Sequence, residues 1–589
     1  MVTPKYRNDP GVMRSRHRSG HRGEGMTDTN ATPDETGVGL LDRERIIAKS
    51  GFNRWMVPPA ALCIHLCIGM AYGFSVFWKP LEGVLTGSDG KPLPLCSEGA
   101  TTFSEKAAGT LTALTATDCN WSQFDLGWMY TFFFVLLGVS AAIWGGWLER
   151  AGPRKAGFVS TMCWCGGLLI SALGVYTHQL WMLWLGSGVI GGIGLGLGYI
   201  SPVSTLIKWF PDRRGMATGM AIMGFGGGAM IGSPLATALM GIFKTDSNAG
   251  VWETFVAMAA IYLVFMLIGT FGYRVPPSGW KPEGWTPPAN SNAMISSQHV
   301  HLKDAHKTPQ FWMLWIVLCM NVSAGIGIIG AASPMLQETF GGALAGAAGV
   351  GYLDMKKDAA MAATAAAVGA GFVGLISLFN IFGRIVWASS SDNLGRKVTY
   401  FIFFTLGAAL YVLASFAADW KSLALFVGAF CIIASMYGGG FATIPAYLAD
   451  IFGTQFVGAI HGRLLTAWST AGIIGPVIVN YLHDTRIAAG VSPDQVYGPI
   501  FYILAGMLVV GFVANLLVRP VNPKWHMTEA DLAAERAKLH EKSAVAQTGS
   551  FGIGKGGLDG KAAAFWLLVG IPLAWGVWKT VEKALVLFQ

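Results

Sequence analysis

Residues 371–397 read G-F-V-G-L-I-S-L-F-N-I-F-G-R-I-V-W-A-S-S-S-D-N-L-G-R-K. From Gly371 to Ala388 the stretch is apolar and close to the length of about 20 residues that crosses a bilayer core, and one arginine, Arg384, interrupts it. A guanidinium does not readily lose its proton, and placing one near the bilayer centre costs roughly 2.5–3.5 kcal/mol on insertion scales. Polar sequence resumes at Asp392. At the helical rise that lies about 12 Å away, against a hydrocarbon half-thickness of about 15 Å. The depth predicts a charge that faces an interior cavity and that the function requires. The competing reading is a side chain that snorkels back to the headgroups.

The surrounding chain makes the class plain. Of 589 residues, 53% are hydrophobic and 13% charged, which excludes a soluble multidomain protein and predicts an all-α polytopic membrane protein. Twelve apolar runs of spanning length fall between residues 56 and 518. A Pro- and Lys-rich polar segment divides them after the sixth, so the expected order is a tail (1–50), six spans (51–274), a linker (275–309), six spans (310–518) and a second linker (519–561). The remaining run, Ala562 to Leu587, reads as a thirteenth span within 562–589. Its alternative is a helix lying in the interface, anchored by Trp566, Trp575 and Trp578.

The net charge of +8 is no nucleic-acid footprint. The surplus lies on the first 56 residues and on Arg519 to Lys561, which the positive-inside rule places in the cytoplasm. The first 50 residues lack an apolar h-region and show no cleavable signal; their composition predicts a disordered tail.

The two sets of six are related. Pro202, Gly219 and Gly232 recur as Pro445, Gly462 and Gly475, each pair 243 residues apart. The turn G-G-W-L-E-R-A-G-P-R-K (145–155) is echoed by S-D-N-L-G-R-K (391–397). A carboxylate at a helix end, a turn-permitting glycine and then cations can form a charge network that holds one conformation together. Its expected members are Glu149, Arg150, Arg154 and Lys155 in the first half and Asp392, Arg396 and Lys397 in the second. A positive-inside topology signal is the plainer reading of either turn alone. Two six-helix bundles repeated in parallel resemble the major facilitator fold, with 6+6 transmembrane helices. The run G-F-G-G-G-A-M-I-G-S-P (224–234) reads as a close-packing and bending element, since no Lys-Ser/Thr follows it as in a nucleotide loop.

A narrower likeness rests on N-I-F-G-R (380–384) with the following turn, and on L-T-A-W-S-T-A-G-I-I-G-P (465–476) in the eleventh span. Over roughly residues 50–520 these resemble the oxalate/formate antiporter family. In that family the arginine of the eighth span binds the substrate carboxylate, and Arg384 matches it. A planar fork of donors suits that task. The oxalate-exchanging members carry a lysine in the eleventh span, within T-A-K-G, where this chain has Trp468. One cation implies a monoanion such as formate, lactate or pyruvate, because a dianion would leave charge uncompensated at low dielectric. The resemblance also implies that Tyr72, Tyr199, Tyr437 and Phe441 line the path, with Trp468 opposite Arg384. For any one of these aromatics, core packing or lipid contact is the plainer reading.

No deep carboxylate is evident: Asp125, Glu338 and Asp450 lie near span ends, and His65 is the one ionisable side chain well inside the first span, where a packing role with a backbone bond is the ordinary reading. Anion exchange and proton-linked carriage both remain open. Cys63, Cys67, Cys163, Cys165, Cys319 and Cys431 fall inside spans as packing residues, and no metal site or cofactor is expected. Cys96 and Cys119 share the long first loop and can form a disulfide if that side is oxidising. The expected function is a gradient-driven carrier of small organic anions, acting as a monomeric unit in the bacterial inner membrane with a cytoplasmic N-terminus. An oxalate:formate antiporter proper, a drug or sugar carrier of the same fold, and a membrane sensor on a carrier scaffold are the alternatives. No nucleophile–base pair or metal cluster marks an enzyme, and no nucleic-acid partner is expected.

Overall fold

Thirteen helices among the described residues are long and apolar enough to cross a membrane. A computed structural model describes residues 39–49, 51–77, 80–81, 85, 93–96, 102–245, 249–277, 280–285, 294–296, 298–540 and 559–584. Most of the expected disordered tail, and residues 541–558 of the second linker, lie outside that set. The first bundle comprises α1 (Val57–Ile68, continued as a 3-10 stretch, Gly69–Phe77), α2 (Gln123–Ala151), α3 (Pro153–Tyr176), α4 (Leu180–Trp209), α5 (Arg214–Phe243) and α6 (Val251–Gly272). The second comprises α7 (Pro309–Phe340), α8 (Ala359–Leu394), α9 (Arg396–Asp419), α10 (Leu423–Phe452), α11 (Val457–Leu464, continued as Thr466–Ala488) and α12 (Tyr497–Leu517).

Local chemistry sets the ends. Ser122 caps α2 through a reciprocal capping box with Asp125, and Thr308 accepts from the Phe311 amide ahead of Pro309 at the start of α7. The two echoed turns share one backbone shape: Gly152 and Gly395, 243 residues apart, both sit at φ 86°, ending one helix and starting the next. A side chain would be strained there, which is why the turn needs glycine. These turns mark what is called here the basic-turn face; the disulfide Cys96–Cys119 marks the opposite face.

The bundles meet mainly through α2 against α11 and α5 against α8, with α5 also touching α10. Repeated glycines let the backbones approach. A Cβ on Gly219 would stand 2.5 Å from the Arg384 carbonyl oxygen, and one on Gly462 would stand 2.2 Å from that of Ala141. These two contacts are the same contact, since 219 and 462, like 141 and 384, are 243 apart.

The last helix, α13 (Gly560–Ala584), stands against α1, α5 and α8 and so touches both bundles. Trp566 Nε1 donates to the Trp55 carbonyl at 3.0 Å, Leu573 packs over Gly227, and Thr580 over Gly374. Leu567, Ile571, Trp575 and Trp578 remain exposed on its outer side.

Candidate functional site

Arg384 is completely buried between the bundles. Its position follows from small residues on both sides: a Cβ on Gly383 would meet the Ser435 carbonyl of α10 at 2.0 Å, and one on Gly226 of α5 would meet the Arg384 Nε at 3.0 Å. The Nε donates to Asn380 Oδ1, one turn earlier, at 3.0 Å. Nη1 donates to the Ile222 carbonyl of α5 at 3.1 Å, a bond that crosses from one bundle to the other. Nη2 is buried with no close hydrogen-bond partner among the described residues, and the Tyr72 hydroxyl is a polar neighbour of the guanidinium. A buried donor left unpaired in an otherwise satisfied group marks a place where a further acceptor belongs.

Around that donor stands a box of rings. Arg384 Cζ lies 6.0 Å from the Phe225 centroid and 5.7 Å from that of Phe441, within cation–π range of both. Trp468 packs on Phe441 at 4.2 Å between centroids, on Tyr199 at 5.3 Å, on Phe225 at 5.5 Å and on Phe134 at 5.7 Å. Tyr72 closes the box against Phe225 and Phe134, and its hydroxyl meets that of Tyr437 at 3.4 Å. Of the aromatics implied by sequence, all five therefore gather here. Phe441 neighbours both Trp468 and the guanidinium. The Tyr199 hydroxyl and Trp468 Nε1 are further buried polar atoms with no partner among the described residues.

Phe134 and Phe225 stand beside the candidate site and carried no signal in the motif reading, while Asn380 opens the N-I-F-G-R motif without having been assigned a role. Phe225 lies within the Gly-rich run read as packing. The repeat itself holds the clue, since Phe225 and Trp468 are 243 residues apart.

On the basic-turn face a charge network joins the two bundles. Asp392 at the end of α8 accepts from the amides of Gly215 and Met216, the first turn of α5, at 2.8 and 3.0 Å, where the helix dipole favours an anion. Arg396 reaches Asp392 at 2.6 Å and Asp450 at 3.1 Å, and Asp450 receives Arg214 of the other bundle at 2.9 Å. In the first half Glu149 pairs with Lys208 at 2.6 Å and accepts from Ser204 at 3.1 Å. It faces Gly458, the counterpart of Gly215 at the start of α11.

Four expected members stand outside this carboxylate network. Arg154 donates to the carbonyls of Leu40, Phe271 and Tyr273, satisfying the loose end of α6 instead. Lys397 does the same at the end of α12, through Leu516 and Val518, Arg150 is exposed, and Lys155 joins neither carboxylate. The members the motifs missed are Lys208, Arg214 and Asp450.

At the opposite face the Cys96–Cys119 disulfide ties the first loop, and His178 Nε2 bonds the Cys119 carbonyl at 2.8 Å while stacking on Trp121 at 4.3 Å. Burial pushes the His178 imidazole below its ordinary value, and the carbonyl bond opposes the shift. Among the described residues no three His, Cys, Asp or Glu side chains gather to hold a metal ion.

Comparison with known proteins bears on the family and the fold. The Major Facilitator Superfamily model matches residues 95–377 and 352–588. The oxalate:formate antiporter of Oxalobacter formigenes is 27% identical over 335 residues, covering 57% of this chain and 68% of that protein. Apicoplast pyruvate carrier 1 of Toxoplasma gondii is 23% identical over 457 residues, covering 68% and 78%. The crystal structure of the Escherichia coli fucose:proton symporter superposes with a TM-score of 0.51 at 12% identity, covering 79% of this chain and 100% of that one, a likeness of fold.

Proposed function

The chain belongs to the major facilitator superfamily and resembles its oxalate/formate antiporters, and we propose that it carries small monocarboxylates by alternating access, with Arg384 as the anion's binding group. The observation that carries this reading is the unpaired Nη2 of a fully buried guanidinium, enclosed by neutral rings. A carboxylate supplies the missing acceptor and cancels the charge. The rings add shape and hydroxyl or indole donors without a competing charge.

The absence of a second cation at Trp468 favours monoanions. Against the one permanent cation of this box a bound dianion would keep a negative charge, and such a charge is costly at low dielectric. The names of two relatives, one exchanging oxalate for formate and one carrying pyruvate, share the carboxylate. The carboxylate network then acts as the gate on the basic-turn face, which the positive-inside rule puts in the cytoplasm, and a single chain contains the whole pathway.

Counterflow into proteoliposomes tests this. Labelled formate, lactate and pyruvate should each enter vesicles preloaded with the same acid, at rates well above those of oxalate or of a neutral sugar. Sugar counterflow with none of the acids would return the chain to the sugar-carrier reading.

A further inference from the structure

Two histidines flank Tyr199 deep in the first bundle's contact with the second, and their surroundings differ in kind. His461 of α11 is completely buried, its ring 5.9 Å from that of Tyr199, and neither nitrogen has a hydrogen-bond partner among the described residues. His65 of α1 is equally buried, its ring 5.5 Å from Tyr199, yet both of its nitrogens meet backbone carbonyls. Nδ1 meets that of Ala221 on α5, and Nε2 that of Tyr199 on α4 at 3.2 Å. The Gly198 carbonyl is a further neighbour, lacking its helical donor because Pro202 has no amide proton.

A neutral imidazole has one donor and one acceptor; only the imidazolium has two donors. Both ring nitrogens face a carbonyl oxygen, and both can donate to these acceptors only in the protonated ring. His461 has no such acceptors and gains nothing from a proton. His65 is also tied to the substrate group through a shared strip of backbone. Its Nδ1 faces the Ala221 carbonyl, and Arg384 Nη1 donates to the next one, Ile222. The charged or titratable groups that face His65 among the described residues are Arg384 on α8 and Tyr199 on α4. From α5 it meets the Ala221 carbonyl, Gly224 and Phe225.

We propose that His65 is a proton-binding site coupled to the anion at Arg384, which makes the protein a proton–monocarboxylate carrier. This rests on the monocarboxylate reading above. With the anion absent, the fixed positive charge of Arg384 opposes a second cation beside it. When a carboxylate docks on Arg384 the opposition falls, and the two-carbonyl cradle takes up a proton from water onto the imidazole lone pair. The proton leaves when the anion does. The empty site, with Arg384 charged, and the loaded site, with two cations and one anion, then carry the same net charge, so the coupled cycle is electroneutral.

Pyruvate binding to the purified full chain tests this, by calorimetry in two buffers of different ionisation enthalpy. The wild type should take up close to one proton per pyruvate, and its affinity should fall about tenfold per pH unit as the pH rises above the linked value. In His65→Gln and His65→Asn, each with a single ring-replacing amide, the proton count should drop to near zero and the affinity should lose its pH slope, whatever its absolute value. A merely structural histidine would change the affinity and leave the count. Proton uptake retained in either variant, or pyruvate binding by the wild type with none, overturns the proposal while sparing the monocarboxylate reading. Failure of the wild type to bind any monocarboxylate overturns both. Should the variants not bind, the imidazole 15N shifts of histidine-labelled wild type decide: pyruvate must convert one buried ring to the doubly protonated form, and no conversion contradicts the site.

Discussion

The two halves of this carrier dock on one another by the same backbone contacts and differ at their centre. Gly219 lies on the carbonyl of residue 384 and Gly462 on that of residue 141, at nearly equal distances. Yet the first of those carbonyls belongs to an arginine and the second to an alanine. Likewise Phe225 and Trp468 occupy equivalent places and touch each other across the box, at 5.5 Å. The repeat thus supplies a symmetric docking contact, and under the proposed function the anion site comes from breaking that symmetry with one charge. A carrier needs the first to move and the second to choose its cargo.

The comparison breaks most readily at the charge. Arg384→Gln should weaken pyruvate binding by at least about 30-fold, the order expected when a buried charged partner is removed. Ala141→Ser, at the mirror position, should leave binding within about twofold, and isothermal titration of both variants checks the pair. The next effect belongs to the docking contact and should be alike in both halves. Gly219→Leu and Gly462→Leu each put a side chain where a backbone carbonyl oxygen stands 2.5 and 2.2 Å, respectively, from the Cβ position. Both should lower counterflow more than tenfold and leave the basic-turn face open to a membrane-impermeant thiol reagent at an introduced cysteine. A normal rate in either variant would show that the contact is not used in closing.

The gate should respond less, and unevenly. Asp392 accepts two amides of the opposite bundle and an arginine, whereas Glu149 is held by Lys208 and Ser204 of its own bundle. Asp392→Asn should therefore increase thiol labelling at the basic-turn face severalfold, and Glu149→Gln by less. The smallest expected effect lies at the far face. The unfolded chain binds a proton at the ordinary histidine value, near 6.5, while folded His178 does so only at lower pH. The stability it contributes is therefore complete above that value and declines as pH falls below it. Melting temperature should drop slightly between pH 7 and pH 5 and flatten in His178→Gln.

Much of this was readable in the chain. Arg384 announced itself because a guanidinium in an apolar run needs a reason, and Trp468 because it stands where a lysine was expected. The glycine spacing gave the repeat, since membrane helices can approach closely only where side chains are small. What escaped were residues whose role depends on a partner far along the chain. Phe225 was hidden in a Gly-rich run, and Asp450 and Arg214, 236 residues apart, meet only when the bundles dock. Arg154 shows the converse: its motif fits a gate, but the carbonyls at the end of α6 are closer and take its protons. Motifs report composition at a turn, and the competition among nearby acceptors is settled only in three dimensions.

Whether one permanent cation sets the cargo is tested most directly by the ratio of oxalate to pyruvate affinity in the wild type and in Trp468→Lys. The account predicts that the wild type prefers pyruvate by at least about tenfold, one decade of affinity, and that a second cation at position 468 moves the ratio toward oxalate. A wild type that binds oxalate as tightly as pyruvate would contradict it.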